Sequence, residues 1–298
     1  MGKEERRVRI GHSPDADDAF MFYGIARGLV KEPGFAVEEV IEGIEELNQR
    51  ALRGELELTA ISFHAYAYCA DKYRLMTCGG SLGMGYGPIV VSRKQSLDRK
   101  SASVRAAVPG ELTSASLLLG LYAPKWKTTQ VPFDEVLDRV AAGEMEAGVV
   151  IHEGQLSYPE HGLQKVADLG EWWSRETDLP VPLGGNVIRK DLSGEDALRL
   201  QGLLRRSIEI AKTRREEALD FALPYARGLD RDLTSRFIDM YVNDLTIDFG
   251  VKGRQAVREL LRRGYEAGLL PQAIEPEFLE NPENPGRREG DHEKGSEG

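Results

Sequence analysis

The sequence predicts an α/β protein of two lobes with a ligand cleft between them. Patterns typical of strands and helices alternate along most of the 298 residues, as expected for βα units. The alternation restarts near residue 102 after a glycine-rich stretch, and beyond residue 193 the chain turns helical. A chain of this length also fits about two domains.

The first βα unit begins with a short apolar strand and a helix start. Ser13 is a good N-cap, Pro14 suits the first helical position, and the aspartates that follow favour the positive end of the helix dipole. Gly54 is a helix stop and Ser62 is placed to cap a helix. The predicted strands are 8–10, 35–40, 56–61, 73–78 and 88–92, with helices opened by Ser13, over 44–53 and after Ser62.

The second unit repeats the alternation, and helices follow it. Strands are predicted at 102–108, 128–131, 147–151 and 184–189, and helices at 115–121, 133–142, 193–224, 233–241 and 254–267. We therefore expect lobe I to comprise 1–92 and 187–278 and lobe II 93–186, with crossovers near residues 92 and 187. The tail, 279–298, is predicted to be disordered because it contains almost no apolar residue to bury.

Composition excludes several classes of function. A net charge of -10 argues against a nucleic-acid partner, because phosphate binding needs clustered Lys and Arg. Cys69 and Cys78 lack metal or redox spacing and are predicted to be buried apolar residues. The sequence has neither a secretory signal nor a run of about 18 apolar residues, which predicts a cytoplasmic protein with a small-molecule substrate and no membrane partner.

The most informative segment is Gly148-Val149-Val150-Ile151-His152-Glu153-Gly154. Its apolar run predicts a buried parallel strand, and ligands in open α/β sheets sit beyond the carboxyl ends of such strands. His152 occupies that end, with a side chain suited to proton transfer near neutral pH. It is either a site residue or only a polar strand terminus. His64 and His161 are weaker candidates, predicted to be a packing residue and a surface residue.

Three loops are candidates for the walls of the cleft. Residues 13–18 either cap a helix only or also line the cleft, through Ser13, Asp17 and Asp18. Residues 109–114 place Thr113 and Ser114 beside free helix N–H groups, a good site for a carboxylate or hydroxyl. The glycine-rich residues 79–88 match no phosphate-binding motif; they suit close approach to a ligand, a tight crossover or a hinge.

The ordered motifs together resemble the 1,4-dihydroxy-6-naphthoate synthase family of the futalosine route to menaquinone, over about residues 8–270. The resemblance is carried by the segments Ser13-Pro14…Asp18-x-Phe20, Leu47-Asn48, Ser62-x-x-Ala65-Tyr66, Gly79-Gly80-x-Leu82-Gly83, Val108-Pro109-Gly110…Thr113, Ile151-His152-Glu153, Trp172-Trp173 and Tyr241-Val242-Asn243.

The resemblance implies a fold like type II periplasmic binding proteins. It also implies conversion of cyclic dehypoxanthine futalosine to 1,4-dihydroxy-6-naphthoate, a lyase reaction without metal or organic cofactor. The family's catalytic base falls on His152. Its ligand-lining positions fall on Asn48, Ser62, Thr113 and Ser114. A homodimer is implied only through the family.

The first loop departs from the family pattern Ser-Pro-Cys-Pro-Asn-Asp-Thr-Phe. Here Asp15 stands for the cysteine and Asp17 for the asparagine, and the two added charges oppose a substrate carboxylate. The competing hypothesis is a non-catalytic protein of the same fold that binds a small carboxylate, with His152 as a ligand contact. A small-molecule sensor is a third and weaker hypothesis, since no DNA-reading segment is visible.

Overall fold

The computed structural model describes residues 5–151 and 154–280. Within them the strands are β1 Arg6–His12, β2 Phe35–Ile41, β3 Leu58–Ser62, β4 Tyr73–Leu75, β5 Ser81–Gly83, β6 Ile89–Ser92, β7 Arg105–Val108, β8 Lys127–Gln130, β9 Ala147–Val150, β10 Gln164–Asp168 and β11 Val181–Arg189. The α-helices are α1 Ala16–Ala26, α2 Ile44–Arg53, α3 Phe63–Tyr66, α4 Ser114–Tyr122, α5 Val136–Ala141, α6 Gly154–Ser157, α7 Leu169–Thr177, α8 Gly194–Thr213, α9 Arg215–Ala222, α10 Arg231–Tyr241, α11 Asp244–Ile247 and α12 Gly250–Glu266.

The strands form two separate sheets, one in each lobe. The first has the order β2-β1-β3-β11-β4, with β5 also paired to β11; β1 is parallel to β2 and β3, whereas β11 is antiparallel to β3. The second has the order β10-β6-β9-β7-β8. The buried β9 is parallel to β7, as predicted, but antiparallel to β6 on its other side. The carboxyl ends of β1, β3, β7 and β9 therefore supply loops to one cleft.

Sheet membership corrects the predicted crossovers. Strand β6 was assigned to lobe I, but it pairs with β9 and β10 in the second sheet. Strand β11 begins at Val181, well before residue 187, because its first residues pair with β5 in the first sheet. The chain thus changes lobe at 84–88 and again at 178–180. The predicted lobe boundaries, at residues 92 and 187, are therefore several residues C-terminal to the positions where the chain changes lobe.

The first crossover explains part of the glycine-rich stretch. A Cβ atom on Gly170 would lie 2.1 Å from the carbonyl carbon of Tyr86, and one on Gly87 would lie 3.0 Å from the Cα of Gly170. Only glycine permits backbones to approach this closely. Of the three uses predicted for residues 79–88, the structure therefore shows tight packing at the crossover.

Several helix boundaries differ from prediction. Helix α2 matches the predicted span, and Gly54 ends it with a left-handed φ of 71°. The N-cap of α1 is Asp15, not Ser13, and the Ser13 N–H and hydroxyl donate to Asp18 and Asp15 within the loop. The long helix predicted over 193–224 breaks at Arg214, which lets α9 fold back onto α1.

Two expectations about burial have different outcomes. Cys69 and Cys78 are buried and unbridged, as predicted, and burial raises both thiol pKa values to about 12. The tail was predicted to begin at residue 279, yet Leu279 is buried and its N–H donates to the Leu75 carbonyl at 2.7 Å. The packed chain therefore extends to Glu280, and the rest of the predicted tail lies outside the described residues. No helix among the described residues is both long and apolar enough to span a membrane.

Candidate active site

A cavity of about 110 Å³ lies between the lobes. Lobe I contributes the loop after β1, the end of β3, part of the glycine-rich stretch, β11 and α10. Lobe II contributes the start of α4 and the residue after β9. The residues that line the cavity include Ser13, Asp15, Asp17, Asp18, Ser62, Gly79, Ser81, Thr113, Ser114, Ala115, Ile151, Phe237 and Tyr241. Most predicted substrate-binding residues therefore meet at one place, although they come from distant parts of the chain.

The acidic loop, residues 13–18, is held by hydrogen bonds among its own members. The Ser13 N–H donates to Asp18 Oδ2 at 2.7 Å, and the Ser13 hydroxyl donates to Asp15 Oδ2 at 2.9 Å. Asp17 accepts from the Ser81 hydroxyl at 3.4 Å. Burial raises the pKa of Asp18, against the opposing effects of His12 and the Ser13 N–H. The loop both opens α1 and lines the cleft, so of the two alternatives the second, in which it does more than cap the helix, agrees with the structure.

His12 lies beside the acidic loop and was given no role by the sequence reasoning. It ends β1, is buried, and stacks on Phe22 at a centroid distance of 4.4 Å. Its Nε2 lies 3.7 Å from a Glu39 carboxylate oxygen. Burial opposes its charging, but Glu39 and Asp18 together raise its pKa. The available signal was its position at the carboxyl end of a strand, the same rule that singled out His152.

Asp15 does not present a bare charge to the cleft. Arg227 pairs with its Oδ1 at 2.7 Å, through a guanidinium that also lies 4.3 Å from the centre of the Phe133 ring. Phe133 belongs to a short 3₁₀ helix of lobe II, Phe133–Glu135, whereas Asp15 belongs to lobe I. The charge added by Asp15 is therefore compensated. Nothing in the sequence around Arg227 indicated this role.

Asn48 lies behind the cleft wall rather than in it. It is fully buried on α2, accepts from the Ser62 N–H at 2.9 Å, and donates to the Ser62 hydroxyl at 3.2 Å. Ser62 itself lines the cleft at the end of β3. The structure thus places Asn48 as a support for Ser62, and its contact with substrate stays a prediction.

The hydroxyl loop, residues 109–114, forms the lobe II wall. Thr113 caps α4 by accepting from the Ser116 N–H at 3.2 Å, and its hydroxyl donates to the Gly110 carbonyl at 2.8 Å. The Ser114 hydroxyl donates to the Leu183 carbonyl on β11, which joins the two lobes. The start of α4 thus presents helix N–H groups to the cleft beside Ala115.

The three candidate histidines are placed differently. His64 is buried, its Nδ1 lies 3.2 Å from the Thr113 carbonyl, and burial lowers its pKa. It packs between the lobes, in line with its predicted packing role. His161 is on the surface, 3.6 Å from Asp138. His152 lies outside the described residues, but Ile151 immediately before it lines the cleft.

Within the described residues, no group of three or more His, Cys, Asp or Glu side chains is arranged to hold a metal ion. The polar groups of the cleft are carboxylates, hydroxyls and helix N–H groups. Such groups are suited to bind hydroxyls and a carboxylate and to exchange protons with them. The arrangement is suited to a small polar molecule held between two α/β lobes.

Two lobes with separate sheets and a shared cleft define the class of periplasmic-binding-protein-like folds. The alkanesulfonate-binding protein from Xanthomonas axonopodis pv. citri has this fold, with a TM-score of 0.68 and 12% identity over 91% of this chain and 96% of that one. The predicted fold class is therefore confirmed. A structure of a protein from Archaeoglobus fulgidus is more similar, with a TM-score of 0.85 and 44% identity over 88% of this chain and 98% of that one.

The family is shown by sequence as well. The model of the menaquinone biosynthesis family matches residues 8–266, and the chain belongs to that family. A 1,4-dihydroxy-6-naphthoate synthase from Thermus thermophilus is 41% identical over 91% of this chain and 99% of its own length. One from Streptomyces coelicolor is 36% identical over 92% of this chain and 98% of its own length. The resemblance drawn from the sequence motifs is confirmed.

Proposed function

We propose that this chain is a lyase that converts cyclic dehypoxanthine futalosine to 1,4-dihydroxy-6-naphthoate in menaquinone biosynthesis. The observation that carries the proposal is its 41% identity to a synthase of that name along nearly the whole of both chains. The cleft supports it, because Ser62, Thr113 and Ser114, three of the four positions where the family binds its ligand, line it. The proposed chemistry needs neither a metal nor an organic cofactor.

His152 is the proposed base. A carbon acid on the sugar-derived part of the substrate loses a proton to the neutral imidazole, and C–C cleavage with aromatisation follows. Ile151 lines the cleft, and Gly154 and Gln155 on the other side of His152 are buried. The chain is thus anchored on both sides of His152, and this supports a role for it at the cleft.

The two loops suggest how the substrate is oriented. The start of α4, with Thr113 and Ser114, favours an anion through its N–H groups. Asp17 and Asp18 on the opposite wall accept hydrogen bonds from hydroxyls, whereas their carboxylates offer no donor to an anion. We therefore propose that the carboxylate faces α4. The sugar-derived hydroxyls then face the acidic loop and Ser13, with Ser62 on the wall between.

The position of the cavity supports movement of the lobes. It is bounded by residues of both lobes, and two-lobed proteins of this kind close around a ligand and open to release it. We propose that the lobes separate to admit substrate. Closure excludes water from the proposed proton transfer.

The test is to incubate the purified protein with cyclic dehypoxanthine futalosine and to follow dihydroxynaphthoate by mass spectrometry. Wild type and His161→Ala are expected to form product, whereas His152→Ala is expected to lose at least about 100-fold in kcat, in line with removal of a general base. His161 is the matched control because it lies on the surface.

Each part of the proposal has its own contrary result. Stoichiometric binding without turnover by wild type would favour the rival hypothesis, a binding protein for small carboxylates. Full turnover by His152→Ala would show that His152 is not the base, while the proposed synthase activity would stand. The cytoplasmic location and the homodimer are also proposals, tested by cell fractionation and by sedimentation velocity.

A further inference from the structure

A tyrosine and a glutamine meet across the cleft. Tyr241 is on α10 in lobe I, and Gln155 is on α6 in lobe II, between two strands of the second sheet. The Gln155 Nε2 donates to the Tyr241 hydroxyl oxygen at 2.8 Å. The Tyr241 hydroxyl in turn donates to the Gln155 Oε1 at 3.1 Å. Both side chains are more than nine-tenths buried, with exposed fractions of 2% and 8%. The pair is a buried polar contact between the lobes.

The tyrosine end of the pair is fixed. Its ring packs against Phe237 at 5.1 Å and Tyr86 at 5.9 Å between centroids. The ring also lines the cleft, as does Phe237. Burial raises the pKa of Tyr241 far above its usual value, so its hydroxyl stays a donor across the neutral range. Tyr241 therefore presents one protonated hydroxyl to lobe II from a rigid surface.

The glutamine end depends on tertiary contacts for its position. Helix α6 has only four residues, too few to be stable as an isolated helix. Gln155 carries the buried amide of this short helix, three residues after His152 in the chain. A contact that fixes Gln155 therefore also fixes α6, the helix that follows the cleft-lining Ile151 in the chain.

We propose that Tyr241 is a positioning residue that holds α6 against lobe I through Gln155 whenever the cleft is closed. Opening the lobes breaks this hydrogen bond, and closure restores it, so the position of α6 is coupled to closure. For its effect on catalysis this inference rests on the proposed function. Tyr241 acts through Gln155 and need not touch the reacting atoms.

The coupling predicts a defect in kcat rather than in KM. Tyr241→Phe keeps the ring but removes the hydroxyl, and Gln155→Met keeps the length but removes the amide. Each is expected to lower kcat by about 10- to 100-fold with KM changed less than about threefold, since small misplacement costs rate more than binding. The double variant should resemble either single variant, because each already removes the same contact.

Tyr73→Phe is the matched control. The Tyr73 hydroxyl is also buried and donates to the Leu56 carbonyl at 2.7 Å, but it does not line the cleft. Both phenylalanine variants lose one buried hydrogen bond, so both should lower Tm. Only Tyr241→Phe should lower kcat. Equal kcat values for the two variants, or defects of Tyr241→Phe and Gln155→Met that add in the double variant, would overturn the proposal.

A second readout needs no substrate. Hydrogen exchange of the amides in 154–161, measured by mass spectrometry on the ligand-free protein, should be faster in Tyr241→Phe and Gln155→Met than in wild type or Tyr73→Phe. Unchanged exchange would overturn the proposal even if the enzyme is active. Faster exchange in a protein whose wild type forms no dihydroxynaphthoate would support the contact and reject the proposed function, so the two failures are distinguishable.

Discussion

The acidic loop and the hydroxyl loop have the same architecture and opposite electrostatics. Each follows a parallel strand, opens a helix and lines the cleft. Yet Asp15 caps α1 without a side-chain hydrogen bond to the helix, whereas Thr113 caps α4 with one. The carboxylate of Asp15 is directed to Arg227 instead.

This difference shows how one cleft can have two chemically distinct walls. Carboxylates at the start of α1 oppose the anion binding that a helix N-terminus otherwise favours, while hydroxyls at α4 leave it intact. A substrate with one anionic end and one hydroxyl-rich end is thereby given a direction. The predictions below test whether the two walls differ in this way.

Among the tests of the two walls, the largest expected effect follows from the cap of α4. Thr113→Val removes the acceptor for the Ser116 N–H and the donor to the Gly110 carbonyl, so the free energy of unfolding should fall by about 1–2 kcal/mol. Binding of 1,4-dihydroxy-6-naphthoate, measured by calorimetry, should weaken by about tenfold because the helix start loses its order. Thr113→Ser retains both hydrogen bonds and is the control. Equal binding by wild type and Thr113→Val would show that α4 does not hold the anion.

Sequence patterns predicted the fold class because strand and helix periodicities alternate clearly, and they placed α2 with its glycine end correctly. They missed β10 and α7, where the apolar residues follow neither the two-residue period of a strand nor the 3.6-residue period of a helix. The lobe boundaries were wrong because a strand's sheet is decided by its pairing partners, which are distant in sequence. Local pattern contains no information about that choice.

The site was predictable where a residue follows a strand, and less so elsewhere. Ser13 and Thr113 were predicted from loops that follow a strand and open a helix, whereas Ser62 was assigned to the site through the family resemblance. His12 also ends a strand but was given no role. Arg227, Gln155 and Tyr241 were not assigned roles, because their partners lie on other elements. The contact of Asn48 with Ser62 was not predicted, since it depends on how α2 packs on β3.

A smaller effect concerns the pH dependence of the acidic loop. Because the pKa of His12 is raised above its ordinary value of 6.5, the folded protein holds a proton that the unfolded chain releases. This stabilisation is fully present below 6.5 and is lost as pH rises through the folded pKa. The raised pKa of Asp18 changes stability in the same direction, because this carboxyl also holds a proton in the folded protein that the unfolded chain releases. Glu39 is the other charged group beside the imidazole.

We therefore expect His12→Gln to be destabilised relative to wild type mostly at low pH. Urea unfolding at about pH 5.5 and about pH 9 should show the difference in unfolding free energy shrinking as pH rises. His161→Gln, on the surface, is the control and should differ little from wild type at either pH. A difference that grows with pH would mean that His12 is not held in its charged form by the acidic loop.

The smallest expected effect tests whether Arg227 shields the cleft from Asp15. The two side chains are partly exposed, with fractions of 30% and 26%, so the pair should contribute no more than about 1 kcal/mol to stability. Arg227→Met leaves the carboxylate uncompensated and should weaken binding of 1,4-dihydroxy-6-naphthoate a fewfold. Asp15→Asn removes the charge and should leave binding equal or slightly tighter.

The double variant Asp15→Asn with Arg227→Met decides between charge and shape. If compensation of charge is the reason for the pairing, the double variant binds the naphthoate more tightly than Arg227→Met alone, because the repelling carboxylate has also gone. If Arg227 matters only through its stacking on Phe133, the double variant binds as weakly as Arg227→Met. Arg139→Met, which breaks a surface pair with Glu135, is the control for loss of an arginine. The second outcome would mean that the charge of Asp15 does not oppose binding of the naphthoate.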